Sequence, residues 1–234
     1  MYADQIDNEY RREIFLKLCK AKSVKYSKLK VDGMESNQFA YHLKKLKEDG
    51  FIEKLDDGGE YTLAPKGLRL ADTISHKTGL VRTQPKVLIV FDITSADGKR
   101  LLIGTRERQP HFGRKVLPSG KIHFGETIEA AATRMLKEFL PDSKSMLSHR
   151  GNFSLFYRKG KVCVSHIYAH VFSARLSHAS EGDIPDKAED MALRLFWEDI
   201  SKIKLNDEWV DGVKEIQECL KGKDFFEMEL EFSD

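Results

Sequence analysis

The residues with the clearest chemical potential lie between Gly120 and Pro141, in GKIHFGETIEAAATRMLKEFLP. On a helix, residues 135, 138 and 139 stand at i, i+3 and i+4 and share one face. Three carboxylates there would gather Mg²⁺ or Mn²⁺, hard cations that prefer oxygen ligands. Such ions neutralise a diphosphate and activate water for attack on phosphorus. In this chain the face reads Met135, Glu138, Phe139. A single carboxylate holds Mg²⁺ poorly, because that ion usually takes one or two carboxylates together with substrate phosphates. Two readings follow. Either Met135 and Phe139 pack while Glu138 pairs with Arg134 one turn away, or a weakened metal site draws carboxylates from the acidic loop Glu181, Asp183, Asp186, Glu189.

A glycine, five residues, a glutamate, seven residues and an arginine make Gly120, Glu126 and Arg134 resemble the Nudix box, with Leu136 and Glu138 continuing the match. Met135, Phe139 and Pro141 depart from it, where the family has Glu, Glu and Gly. GRKVLPSGKIHFGE resembles the family's approach to the box, and the resemblance spans about residues 84–222. It implies an α/β/α sandwich around a mixed sheet. It also implies a loop and helix, shaped by Gly120, Lys121, Glu126 and Arg134, that cradle a diphosphate. Arg134 is expected to anchor that loop through Glu126 or Glu138. Arg106, ending a strand, is expected to contact phosphate, with Arg108, Arg114 and Lys115 adding positive charge. If the chain hydrolyses its ligand, the resemblance makes Glu138 the catalytic and metal-binding carboxylate, with Mg or Mn as cofactor. Sensing alone needs no cofactor.

The elements that position these residues come in two groups. Up to His76 the pattern is helical with one hairpin, and from Pro85 strands dominate, with Gly and Pro in between. The expected division is 1–76, a linker at 77–85, a second domain at 86–223 and a tail at 224–234. Ile6, Tyr10, Ile14 and Leu18 predict a first helix. A second helix is expected over Tyr26–Val31, and a third over Ser36–Asp49 with Phe39, Leu43 and Leu46 inward and Gly50 as its stop. Phe51–Leu55 and Tyr61–Leu63 predict a hairpin, and Pro65 opens a last short helix. ESNQFAYHLKKLKEDGFIEKL followed by YTLAPKG resembles the winged helix-turn-helix domains of prokaryotic transcription regulators.

Between residues 17 and 47 stand nine lysines against Asp32 and Glu35, whereas the hairpin is acidic. Opposite the apolar stripe of the third helix lie Asn37, Gln38, Tyr41, Lys44 and Lys45. Amides pair with adenine edges, and lysines with guanine or phosphate. Double-stranded DNA is therefore the expected macromolecular partner, read by a homodimer with half-sites one helical turn apart.

In the second part, strands are expected at Val87–Ile93, Arg100–Arg106, Lys115–Pro118, Gly151–Arg158, Val162–Phe172 and Leu193–Trp197. Helices are expected at Thr127–Leu140 and Asn206–Leu220. Phe226–Phe232 alternates apolar and acidic residues and predicts an edge strand with one buried face or an element added to a partner. His166 and His170 share a strand face about 13 Å apart, at roughly 3.3 Å per residue, too far to ligate one metal. The fold class is thus α+β in two domains, a winged helix followed by a Nudix-type sandwich.

At 234 residues and net charge +2, bulk charge selects no partner. The longest apolar run, Val87–Phe91, is far short of a membrane span, and the polar start MYADQIDNEYRR lacks the apolar core of a signal peptide. Cys19, Cys163 and Cys219 form no CxxC pair and suit buried thiols in a reducing cytoplasm. The expected function is a DNA-binding transcriptional regulator whose second domain senses a nucleoside-diphosphate-type small molecule with little or no hydrolysis. The alternative is an active metal-dependent Nudix hydrolase carrying the winged helix as an accessory.

Overall fold

The computed structural model describes residues 6–55, 59–74, 84–143, 145–177, 184, 193–222 and 224–233. The N-terminal part runs α1 (Glu9–Cys19), β1 (Val24–Lys25), α2 (Tyr26–Leu29), α3 (Ser36–Glu48), β2 (Ile52–Lys54), β3 (Glu60–Leu63) and α4 (Pro65–Thr73). Asn8 caps α1 by accepting hydrogen bonds from the Tyr10 and Arg11 amides, which satisfies donors that have no partner inside the helix. Ile14, Phe15 and Leu18 of α1 and Phe39, Leu43 and Leu46 of α3 are buried. The helical spacing of these residues thus supplies the core.

Two details differ from expectation here. The second helix stops at Leu29, because Lys30 is extended (ψ 136°) and this turns Val31 and Met34 into the core. The short strand β1 was not expected. It pairs antiparallel with β3, giving a three-stranded sheet of order β1-β3-β2.

The second part comprises β4 (Lys86–Thr94), β5 (Arg100–Arg106), β6 (Lys115–Val116), β7 (Ser119–Lys121), α5 (Ile128–Phe139), β8 (Ser148–Lys159), β9 (Val162–Arg175), β10 (Leu193–Asp199), α6 (Val213–Gly222) and β11 (Phe226–Ser233). Its sheet runs β10-β5-β4-β9-β8-β11. β4 lies parallel to β9 and β11 parallel to β8, while the other pairings are antiparallel, so the sheet is mixed. β4 and β5 pair only at Thr94 and Leu101. Beyond that point β7 pairs with β4 and β6 with β5. This fork delivers the chain to the start of α5.

Alternation along the strands divides the sheet into two apolar faces. Ile89, Phe91, Ile93, Leu102 and Phe172 pack under α5. The other face carries Val90, Ile103, Phe153, Leu155, Ala169 and Val171, in one cluster with Val213 and Ile216 of α6. The same cluster contains Leu68, Leu70 and Ala71 of α4 with Ile74 just beyond its end, and continues to α1 and α3. The N-terminal helices and this sheet face therefore share apolar packing. Of the expected linker, residues 77–83 lie outside the described residues.

The last helix begins at Val213 rather than Asn206. The Lys115 amide donates to the Glu208 carbonyl and the Val210 amide to the Lys115 carbonyl, so the segment around buried Trp209 is drawn along β6 instead of coiling. Gly212, at φ +92°, then admits the turn into α6. The tail forms the edge strand its alternation predicts. Phe226 is buried, and Glu227, Glu229 and Glu231 are exposed. β8 approaches it so closely at Gly151 that a Cβ there would lie 2.7 Å from the Phe226 ring. All three cysteines are unpaired, and only Cys19 is fully buried. Burial pushes its thiol up to about 12. No described helix is long and apolar enough to cross a membrane.

Candidate functional site

The glycine-to-arginine segment folds into a loop clamped onto the first half of α5. Gly120 is buried in β7 opposite Ile89. Thr127 caps α5 by accepting from the Ala130 amide at 3.2 Å. Arg134 reaches back from the helix and grips Glu126 in a bidentate pair, with Nε 2.6 Å from Oε1 and a second nitrogen 2.9 Å from Oε2. It also donates to the Lys121 carbonyl at 3.1 Å and to Glu138 Oε1 at 2.9 Å. Glu126 in addition accepts from the His123 amide at 2.9 Å. The Arg134 hydrogen bonds, followed by that amide, hold the Glu126 carboxyl down at about 2. The same contacts strengthen the hold of Arg134 on its proton. Arg134 is thus the anchor of the loop, through both glutamates.

The face expected to carry metal ligands divides in two. Met135 and Phe139 have no exposed surface. Phe139 stands edge-on to Phe91, with ring centroids 5.6 Å apart, so both positions belong to the core between α5 and the sheet. Glu138 points away from them, exposed and paired with Arg134. A shallow depression along this outer side is lined by Glu129, Ala130, Thr133, Arg134, Lys137 and Glu138.

Mg²⁺ or Mn²⁺ does not fit this donor set. One carboxylate of the three is present, and a guanidinium already holds it. No group of three or more His, Cys, Asp or Glu suited to a metal occurs among the described residues. Glu181, Asp183, Asp186 and Glu189 lie outside the described residues.

Arg106 lies away from the α5 loop, at the seam between β5 and the N-terminal helices. Its Nε is shut off from solvent without an acceptor. Desolvation weakens the hold of Arg106 on its proton, and nearby Asp72 strengthens it. Arg114 faces Asp211 at 3.3 and 3.4 Å, and Lys115 pairs with Glu198 and Glu208. Gly120, Lys121, Glu126 and Arg134 are therefore brought together, while Arg106 belongs to another cluster.

That second cluster includes three residues the sequence reading does not single out: Asp72, Lys86 and His111. Lys86 forms an ion pair with Asp72, whose side chain is only 3% exposed. Asp72 sits on α4 beside Leu70 and Ala71, with Ile74 capping the helix, all of them buried, and a lone acid on an apolar helix face was the available signal. His111, at φ 71°, packs its ring against Tyr157 with centroids 4.8 Å apart. Desolvation, followed by Arg106, Arg114 and Lys86, lowers its pKa to about 3.

On α3, Asn37, Gln38, Tyr41 and Lys44 are exposed, and Lys45 is partly so. Glu48 ties down both lysines, at 3.7 Å from Lys44 and 2.9 Å from Lys45. The positive field of this face is therefore weaker than a count ending at residue 47 suggests. His42 packs against Tyr10 and Tyr41. On β9, His166 stacks on Phe156, and His170 bonds Asn152 at 2.7 Å.

Residues 4–74 match a family model described as a domain of unknown function, DUF7347. No curated protein matches the sequence. Among solved structures, the chain is similar to a mutator MutT protein from Bacillus halodurans, with TM-score 0.49 and 20% identity over 63% of this chain and 90% of that one. It is also similar to a NUDIX hydrolase from Nitrosomonas europaea, with TM-score 0.46 and 19% identity over 61% and 93%. A third is the NUDIX domain of Shewanella oneidensis NrtR complexed with ADP ribose, with TM-score 0.41 and 13% identity over 59% and 90%. Similarity at this level assigns neither activity nor ligand to the chain.

Proposed function

We propose that the chain is a DNA-binding regulator: a winged helix joined to a Nudix-like domain that binds a nucleoside-diphosphate-type ligand without metal-dependent cleavage. The observation that carries this reading is the division of residues on α3. Phe39, Leu43 and Leu46 are buried, while Asn37, Gln38, Tyr41 and Lys44 are exposed on the opposite side. The order of α2, α3 and the β2–β3 hairpin supports a recognition helix beside a wing, the arrangement that places such side chains in a major groove.

The second half of the proposal rests on α5. A box helix that turns Met135 and Phe139 into the core and engages its remaining Glu138 with Arg134 lacks the carboxylates that cleavage requires. Gly120, Lys121, Glu126 and Arg134 keep the loop that would receive a diphosphate. In this reading the protein acts as a homodimer, and ligand binding changes DNA affinity because the two arrangements of the dimer hold the ligand differently.

The test is fluorescence anisotropy on a library of genomic duplexes, with and without a panel including ADP-ribose, NAD and nucleotide sugars. A duplex that binds and whose affinity falls with Gln38→Ala and Lys44→Ala supports the proposal. Absence of any DNA affinity at low salt would overturn it, as would steady release of monophosphate with Mn²⁺.

A further inference from the structure

The last strand of the sheet carries two unlike rows of side chains. Among the described strands β11 pairs with β8 alone. Its register sets Met228 beside Phe153 and Leu230 beside Leu155, so its apolar residues lie on the α6 side of the sheet. Met228, Leu230 and Phe232 pack against the core there, yet each is only half-buried. The alternate residues Glu227, Glu229 and Glu231 stand opposite Asn152, Ser154 and Phe156, whose neighbours on β9 are His170, Tyr168 and His166. His170 in turn lies opposite Ile89, which packs under α5. The three acids are therefore on the α5 side, in register with a band of rings. Of these Tyr168 is 40% exposed, and Phe156 stacks on His166 with centroids 4.1 Å apart.

The charge of the acid row is largely uncompensated. Glu231 pairs with Arg158 at 2.7 Å. Glu227 accepts from the Asn152 side-chain amide at 3.4 Å, a contact that neutralises nothing. Glu229 has no partner among the described residues. Three acids against one arginine leave the row with a surplus of negative charge.

We propose that β11 is a docking edge for an extended segment of a partner protein in which arginines alternate with apolar residues. Backbone pairing with an edge strand supplies affinity, and the alternate side chains supply selectivity. The segment's apolar side chains would cover Met228, Leu230 and Phe232, and its arginines would lie across Glu227 and Glu229. Arginine suits this row better than lysine, because its planar guanidinium both pairs with carboxylates and stacks on aromatic faces. A nucleic-acid strand is disfavoured by sign, since its phosphates would meet the acids. The inference stands apart from the regulator reading and uses none of the residues assigned to DNA or nucleotide.

The test uses the full chain and two fluorescein-labelled peptides matched to the eight residues of β11. One alternates arginine and valine, the other glutamate and valine, and binding is read by fluorescence anisotropy at low salt. The arginine peptide should bind and the glutamate peptide should not. Replacing both acids, Glu227→Gln with Glu229→Gln, should weaken binding about tenfold, the worth of two exposed ion pairs at low ionic strength. Both side chains are exposed, so the fold does not depend on them. Amide hydrogen exchange separates strand addition from attraction of charge alone. In the unliganded chain the β11 amides that point away from β8 should exchange fast, and the arginine peptide should slow this alternate set along Phe226–Ser233. No binding of the arginine peptide, equal binding of both peptides, binding unchanged by the paired substitution, or binding without slowed exchange would each overturn the proposal. Outward amides that are already slow before peptide is added would overturn it too, because another element would then hold the edge.

Discussion

Replacing Phe139 by glutamate tests whether α5 can present a metal-binding face. The position has no exposed surface and its ring meets Phe91 at 5.6 Å. The change forfeits about 1.5–3 kcal/mol of apolar burial and about 0.5–1.5 kcal/mol from the aromatic pair. Keeping a buried carboxyl neutral at pH 7, against a reference pKa near 4.3, costs about 4 kcal/mol more. The sum, roughly 6–8 kcal/mol, rivals the 5–15 kcal/mol that typically separates folded from unfolded chains. At about 2–4 °C per kcal/mol for a protein of this size, the melting temperature should fall by at least about 12 °C. Calorimetry at pH 7 and pH 5 provides an internal check. Relative to the parent protein, the deficit should shrink by about 3 kcal/mol at pH 5, where protonation is nearly free. Phe139→Leu should cost only about 1–2 kcal/mol. A Phe139→Glu protein that melts within a few degrees of the parent and gains stability from Mn²⁺ would refute the claim that this side of the helix is committed to the core.

Four further outcomes follow from particular contacts. Carbon-13 NMR should find the Glu126 carboxyl titrating near pH 2. Because this pKa is depressed on folding, its contribution is present above the unfolded value near 4.3 and is lost as pH falls towards 2; Arg134→Met should return the titration to the ordinary range. His111 is held neutral at about 3, so the unfolded chain takes up a proton the folded one refuses. Stability should therefore fall on acidification below about pH 6.5, and between pH 6 and 5 His111→Asn should lessen that slope by about 1.4 kcal/mol per pH unit. Glu48→Gln releases Lys44 and Lys45. If α3 docks on DNA, affinity should rise and the dependence of log K on log salt should steepen by about 1–2. Gly151→Ala places a methyl group against Phe226 and should speed hydrogen exchange along β11 while leaving the N-terminal helices unaffected.

Periodicity made most of the framework legible. The stripe Ile14, Phe15, Leu18 and the set Phe39, Leu43, Leu46 mark their helices because burial selects residues at 3.6-residue spacing. Alternation in Phe226–Phe232 marks an edge strand for the equivalent reason at period two. The Arg134 anchor was readable because i, i+4 geometry and a loop glutamate fix its partners locally. What could not be read depends on distant pairing. The β1 strand is two residues long and exists only because β3 offers it an edge. Trp209 stays out of a helix because its neighbours hydrogen-bond to Lys115, more than ninety positions earlier. The seam cluster brings Asp72, Lys86, Arg106 and His111 together from separate elements, so no spacing rule connects them. Arg106 consequently passed for a neighbour of the box loop.

The outermost strand has a bearing on how copies of this protein meet. Among the described strands it pairs on one side only, with β8, and a strand edge of this kind invites further strands. A second copy approaching edge to edge in antiparallel fashion would set its own Glu227, Glu229 and Glu231 against the same three acids. Like charges facing across a strand pair repel. Glu231 is already paired with Arg158 at 2.7 Å, so Glu227 and Glu229 carry most of this guard against runaway sheet growth, and stacking into fibres should require acid conditions or neutralisation of those two side chains.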